Sequence, residues 1–451
     1  MGLFSSLLIS AEALRVFQKA LTVTQNNVSN AATPGYARQR ATFEAMPLDV
    51  EAGLPGGVRS GVVQSARDQY AEQAVRQQQS RHAKLEQRQV ELERLEPSFD
   101  ASGQTGIPGA LNRLFQGFSA WSVAPNDAVA RSTVIERARQ VAAGFVETAQ
   151  GLVQSRVAAD QQTRNSVDAI NSLARTLRDL NTQQSQNFRA AGDPAVDAQV
   201  NNTLEQLAGY VDFTTIKQAD GTLTVLLGGR TALVIGDRQF EVSADISSAQ
   251  AVLRDSENRD ITGQVSGGRL EALLEMRNAT IPSYSAGLNR LAASLADRVN
   301  AVLAAGVDSN GWPGAVLFAY DSTDDAAATL KVTSILPEEL AAATADAPGG
   351  NGNALQLAQL ADSPEMDGAS FMEYYGRLAS QVGRALETTR EDRQTQEQLL
   401  LQTRAFREET SGVSLDEEAA LLIEFQRSYQ ASARLMTVLN NLTEETINLV
   451  R

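Results

Sequence analysis

Apolar residues recur at helical spacing at both ends of this 451-residue chain. Phe4, Leu7, Ala11, Leu14, Phe17, Leu21 and Val28 are mostly three or four positions apart, so they share one helix face. Leu415, Ala419, Leu422, Phe425, Tyr429, Ala433, Met436, Leu439, Leu442, Ile447 and Val450 form a second stripe. A helix from Leu415 to Leu449 would be about 50 Å long at 1.5 Å per residue. Two ordinary helices resting on the protein's own core would explain the periodicity. Both stripes, however, are long and wide enough for more than one partner. Pairing of the two ends as a coiled coil, followed by stacking on neighbouring subunits, would cover both sides of each. The expected subunit-contact residues are therefore Leu7, Ala11, Leu14, Phe17, Leu21, Leu415, Leu422, Phe425, Tyr429, Ala433, Met436 and Leu439.

The punctuation between the ends describes a nested plan. The first stripe stops at Asn30-Ala-Ala-Thr-Pro34-Gly35-Tyr36, where proline biases Thr33 towards extended backbone. Residues 40–63 read as extended, and 64–95 as a polar helix ending at Pro97. After a Gly-rich break at 102–109, an apolar turn region carries Leu111, Leu114, Phe115, Phe118 and Trp121. Pro125-Asn126-Asp127 then opens a very long helix running towards Phe188. The pattern changes after Gly209. Residues 211–217, 222–227 and 231–235 are β-rich runs separated by Asp220-Gly221 and Gly228-Gly229, which are hairpin signals. A further strand is expected at 240–242. Helix resumes over 270–303, with Pro282 near a start. Strands are expected at 316–319 and 330–332 within a loop-rich stretch, and helix again over 371–407. Ser414-Leu-Asp-Glu417 reads as a capping box, in which the Ser414 hydroxyl accepts from the Glu417 N–H while the Glu417 carboxylate reaches back.

The fold class expected is mainly α: paired terminal helices, a central long-helix bundle and a small β-rich insertion. The corresponding division is 1–33 with 405–451, 34–209 with 270–404, and 210–269.

Composition removes most chemistry. With 54 acidic against 39 basic residues the formal charge is −15, and only four of the cations are lysines. Such a chain offers no basic footprint for nucleic acid or an anionic membrane. Cysteine is absent and His82 is the only histidine, which excludes thiol nucleophiles, disulfides and Cys/His metal sites. No apolar run reaches the roughly 18 residues of a membrane span. Gly2 and Ser6 superficially fit a myristoylation pattern but read better as a helix start.

Asp308-Ser-Asn310-Gly311 begins like a calcium loop, yet no glutamate closes it, so a surface turn is expected. Gly349-Gly350-Asn351-Gly352 follows no strand and reads as a loop. Asp416, Glu417 and Glu418 point in successive directions around a first helical turn and favour its dipole, not hydrolysis. His82 is expected to be solvated, and Trp121 and Trp312 to be core or interface aromatics. No catalytic constellation, cofactor or metal site is expected, and the chain does not read as an enzyme.

The block Leu21-Thr-Val-Thr-Gln-Asn-Asn27-Val-Ser-Asn30-Ala-Ala-Thr33-Pro34-Gly35-Tyr36-Ala-Arg38-Gln39 resembles the signature of the axial proteins of the bacterial flagellum, which include rod, hook and hook-associated members. Gly56-Gly57-Val58, Gly61-Val62, Arg67-Asp68 with Tyr70, and Pro125-Asn126-Asp127 with Arg131 are similar to the hook–filament junction branch. So is Ser411-Gly412-Val413-Ser414-Leu415-Asp416-Glu417-Glu418-Ala419 with Phe425-Gln426, Tyr429, Ala431, Ala433 and Arg434. The likeness covers roughly the first 150 and last 80 residues. Larger relatives carry a second β-rich insertion after Leu317-Phe318, which is only a short loop in this chain.

The resemblance adds Asn27, Asn30, Pro34, Gly35 and Tyr36 to the contact residues. It implies export through the flagellum's own type III channel without a cleaved signal, and an extracellular location. Terminal segments would be disordered in the monomer and would order on assembly. The implied partners are hook protein, a second hook–filament junction protein, further copies in a ring, and an export chaperone. A hook or distal-rod protein is the nearest alternative, and a secreted helical adhesin a more distant one. An enzyme would need a cleft with convergent carboxylates, which the sequence does not offer.

Overall fold

The computed structural model describes residues 3–49, 54–100, 105–186, 193–218 and 220–449. Gly2, Phe188 and Val450 lie outside these residues. The chain is mainly helical, with a small β-sheet region. Its helices are α1 (Leu3–Asn30), α2 (Gln69–Leu95), α3 (Gly106–Val123), α4 (Ala128–Gln186), α5 (Pro194–Ala208), α6 (Gly268–Glu275), α7 (Ile281–Ala305), α8 (Ala326–Thr329), α9 (Gly352–Gln359), α10 (Phe371–Ser411) and α11 (Leu415–Leu449). Two compact units divide the chain: Met1–Arg81, Ile170–Glu241 and Gln396–Arg451 form one, and His82–Ala169 with Val242–Thr395 form the other.

In the first unit α1 and α11 pack along each other. A hairpin of β1 (Gln39–Ala45) and β4 (Val58–Ser65), with short β2 (Leu48–Asp49) and β3 (Leu54–Pro55) between them, also lies on α1. The register shifts between Ala41 and Phe43, a bulge of the kind that re-aims a side chain. The Phe43 ring stands 6.3 Å from Phe17 of α1 and 5.9 Å from Phe425 of α11. One aromatic wedge therefore touches both terminal helices.

The insertion is a four-stranded antiparallel meander of β5 (Phe213–Lys217), β6 (Leu223–Leu227), β7 (Thr231–Ile235) and β8 (Arg238–Gln239). Gly221, Gly228, Gly229 and Gly236 have positive φ at its turns, as the Asp-Gly and Gly-Gly signals require. Val225, Leu227, Leu233 and Val234 are fully buried. Asn181 of α4 donates to the carbonyls of Leu223 (2.7 Å) and Gly236 (2.8 Å) and accepts from Leu223 N (2.9 Å), which ties the sheet to the helix.

The second unit is a helical core. Trp121, Phe118 and Leu114 of α3, Phe145 of α4, Leu291 and Leu295 of α7, and Phe371 and Tyr375 of α10 are all at most 1 % exposed. Trp121 donates to Pro125 O at 3.2 Å, and Arg131 donates to the same carbonyl at 2.9 Å, fixing the turn between α3 and α4. Between α6 and α7 the helix widens into a π turn at Met276–Thr280. Pro282 lies just beyond it, where a regular helix would lose a hydrogen bond to the ring. At the π turn Arg277, 2 % exposed, donates to Asp160 (2.7 Å), Ala249 O (2.5 Å) and Ser248 O (3.1 Å). Asn278 pairs with both backbone groups of Ala251. The widened turn thus grips the link between β9 (Ser243–Asp245) and β10 (Val252–Arg254).

Several local expectations need correction. The strand expected at 240–242 is a gap between β8 and β9, because Phe240 closes the meander by donating to Leu233 O at 2.9 Å. The helix expected from residue 64 starts at Gln69, since β4 runs to Ser65 and Asp68 caps α2 by accepting from Tyr70 N at 2.8 Å. Pro282 is the second residue of α7, near a helix start as expected, although the π turn runs directly into that helix. His82 is half-buried, and its Nε2 is enclosed without a hydrogen-bond partner, in contrast to the solvated side chain expected. Trp312 is 71 % exposed, whereas Trp121 is in the core. Asp308 forms a turn by accepting from the N–H groups of Asn310 and Trp312, both at 2.8 Å. No described helix is long and apolar enough to cross a membrane.

Candidate functional site

The motif residues of the two chain ends meet in a polar joint at the foot of the α1–α11 pair. Asn27, in the last turn of α1, is 1 % exposed. Its Oδ1 accepts from Gln39 N and from the Tyr36 hydroxyl, both at 2.9 Å. Its Nδ2 donates to Gln39 O (2.8 Å) and to Glu418 Oε2 (3.0 Å). Every hydrogen-bonding position of the amide is used. Glu418 is equally buried, and Arg38 Nε lies 2.6 Å from its other oxygen, close enough for an ion pair but misaligned for a hydrogen bond. Burial, and then the Glu418 charge, push the Tyr36 phenol up to about 12.

The backbone reinforces the joint. Arg38 N donates to Ser411 O at 2.9 Å, and Asp68 N donates to Ser411 Oγ at 3.0 Å. Gly35 has φ +74, and a β-carbon there would collide with the Ala198 carbonyl of α5. Only glycine takes that backbone geometry and that proximity together. Arg67 donates to Gly35 O at 2.6 Å, and its guanidinium also binds Asp197 (2.7 Å) and Glu72. Farther along, Glu205 holds Arg404 (2.8 Å) and Arg407 (2.7 Å). Burial alone would raise Glu205, but its hydrogen bonds and charge pairing with Arg407, and then with Arg404, hold it below the ordinary carboxylate range.

At the α11 start, Glu417 N approaches Ser414 Oγ at 3.4 Å, while the Glu417 carboxylate turns to Arg38 at 2.6 Å. Leu421, Phe425, Ser428, Ser432, Met436, Leu439 and Thr443 form a half-buried row at three- and four-residue steps. Leu415, Ile423, Leu435, Val438, Leu442 and Ile447 stay exposed on other sides of the same helix. Apolar side chains thus occupy more than one face of α11.

Of the residues expected at subunit contacts, Leu7, Ala11, Leu14, Phe17, Leu21, Asn30, Gly35, Tyr36, Leu422, Phe425, Ala433, Met436 and Leu439 are half-buried in the single chain. Pro34, Leu415 and Tyr429 are exposed, and Asn27 is buried. Asn30 donates to Asn26 O at 2.9 Å and accepts from Thr33. Glu418, Arg38, Arg67 and Ser411 complete the joint; their motif positions are visible in sequence, but not that they converge. Among the described residues no cluster of acidic side chains or histidine is arranged to hold a metal.

The model of the flagellar hook-associated protein FlgK helical domain matches residues 92–318, half of the chain. The chain belongs to that family. Residues 407–449 match the C-terminal model of the flagellar basal body rod FlgEFG proteins, so the tail carries a pattern shared more widely than the helical domain. Similar relatives include flagellar hook-associated protein 1 of Bacillus subtilis, 27% identical over 99% of this chain and 98% of that one. The Escherichia coli protein of the same name is 24% identical over 99% and 100%. That alignment runs to 557 residues against 451 in this chain, so gaps open in this one. The flagellar hook junction protein FlgK from Burkholderia pseudomallei shares the fold at TM-score 0.67 and 16% identity, over 74% of this chain and 99% of that one.

Proposed function

We propose that this flagellar protein is a mechanical adaptor at the hook–filament junction, one surface meeting the end of the hook and another seating a second junction protein. The observation that carries this reading is the family match across residues 92–318, because that model is of a hook-associated protein, whereas the rod-protein model matches only the tail. The exposed apolar sides of α11 support self-assembly into a ring, with residues 1–33 and 405–451 acting as the assembly segments and the insertion at 210–269 facing outward. Copies arriving through the flagellar export channel, escorted by a chaperone, would order these segments as they join. The burial gained would offset the entropy of ordering. The role needs no cofactor and no catalytic group.

Electron microscopy of cells lacking the gene tests it. Complete hooks without filaments, with flagellin lost to the medium, are expected. Absent hooks would move the protein down to the hook or distal rod, and normal filaments would refute the reading. Leu422→Glu or Leu14→Glu should block filament attachment while the second unit stays folded by circular dichroism.

A further inference from the structure

Arg76 of α2, half-buried, stands out among the cations of the first unit. It makes no hydrogen bond and no ion pair among the described residues, although Glu72 sits one helical turn away. Glu72 is already engaged, with one oxygen on Arg67 and the other 3.5 Å from Arg407. Asp197 is held by Arg67, and Glu205 by Arg404 and Arg407. Three carboxylates therefore serve four guanidiniums. Burial, opposed by the Glu72 charge, lowers Arg76 from its ordinary range.

Arg76 also lines a cavity of about 190 Å³ bounded by α2, α5, α4 and the β5–β6 hairpin. Gln73, Gln184, Asn201 and Thr215 supply polar side chains around it, Lys217 adds a cation, and Glu72 and Asp197, both held by Arg67, share its wall. At about 30 Å³ per water, the space holds about six waters. That suits a small oxyanion.

We propose that this cavity binds a small oxyanion of carboxylate or phosphate size, with Arg76 as its principal donor. Arginine's planar fork matches such groups. The bound anion would balance the surplus charge and link the β5–β6 hairpin to α2 and α5.

Hydrogen exchange of the full chain, followed by mass spectrometry over residues 213–223, provides the test. Acetate and phosphate are titrated separately, with chloride holding ionic strength constant. At ten times the dissociation constant, linkage slows exchange by opening about elevenfold. Saturable slowing by acetate alone assigns a carboxylate site, and by phosphate alone a phosphate site. Arg76→Gln should abolish it, and Lys217→Gln, at the cavity wall, should raise the half-saturating concentration. No saturable slowing with either anion overturns the proposal. So does undiminished slowing in Arg76→Gln; if that variant fails to fold, an unchanged midpoint in Lys217→Gln overturns it instead.

Discussion

Asn27 uses both lone pairs and both N–H bonds of its amide on groups drawn from two distant parts of the chain. Asn27→Ala would leave Gln39, Tyr36 and Glu418 without those partners. Stranding buried polar groups costs about 1–3 kcal/mol each, so a local loss of about 3 kcal/mol is expected. The Arg38 amide, which donates to Ser411, should then exchange about a hundredfold faster, at 1.4 kcal/mol per factor of ten. Tyr36 gives the joint a pH signature. Its folded-state phenol is raised from 10.0 to about 12, so the stabilisation is complete below pH 10 and fades as pH rises towards 12. An alkaline hydrogen-exchange series should show the joint loosening in that window, and Tyr36→Phe should remove the dependence. Gly35→Ala is expected to disrupt the same region, because the left-handed backbone and the Ala198 carbonyl both oppose a side chain.

Among the elements, the π turn is held by side chains that local sequence patterns do not reveal. Arg277→Leu would strand half-buried Asp160 and two carbonyls, at an expected cost of about 2–3 kcal/mol. Chemical denaturation followed by circular dichroism would measure it. Glu205 makes an acid-side prediction for α5 and α10. Since its folded carboxyl is held below the ordinary value, its stabilisation is present above pH 4.5 and lost as pH falls through the lower folded value. Glu205→Gln should flatten that part of the acid denaturation curve. The helices and hairpins were largely legible, because an apolar period and Asp-Gly or Gly-Gly pairs act locally. The strand expected at 240–242 failed because a short apolar run does not say which residue ends a sheet. The joint was half legible: Asn27, Tyr36, Arg38, Ser411 and Glu418 stood in recognisable blocks. Their pairing depends on tertiary geometry, which no spacing encodes.

Across the whole molecule, the chain's two ends converge on one another and family membership rests on the helical middle. The genetic test and the Leu422→Glu variant therefore probe different things: position in the flagellum, and competence of the end segments. The hydrogen bond from Asn27 to Glu418 spans 391 residues of sequence. Synthesis delivers the first of these residues long before the second. Until the C-terminal segment emerges, Asn27, Arg38 and Asp68 have no Ser411 or Glu418 to bind, and the foot of the helix pair cannot close. Closure of the joint is thus a chronological marker, reporting that synthesis has passed Glu418.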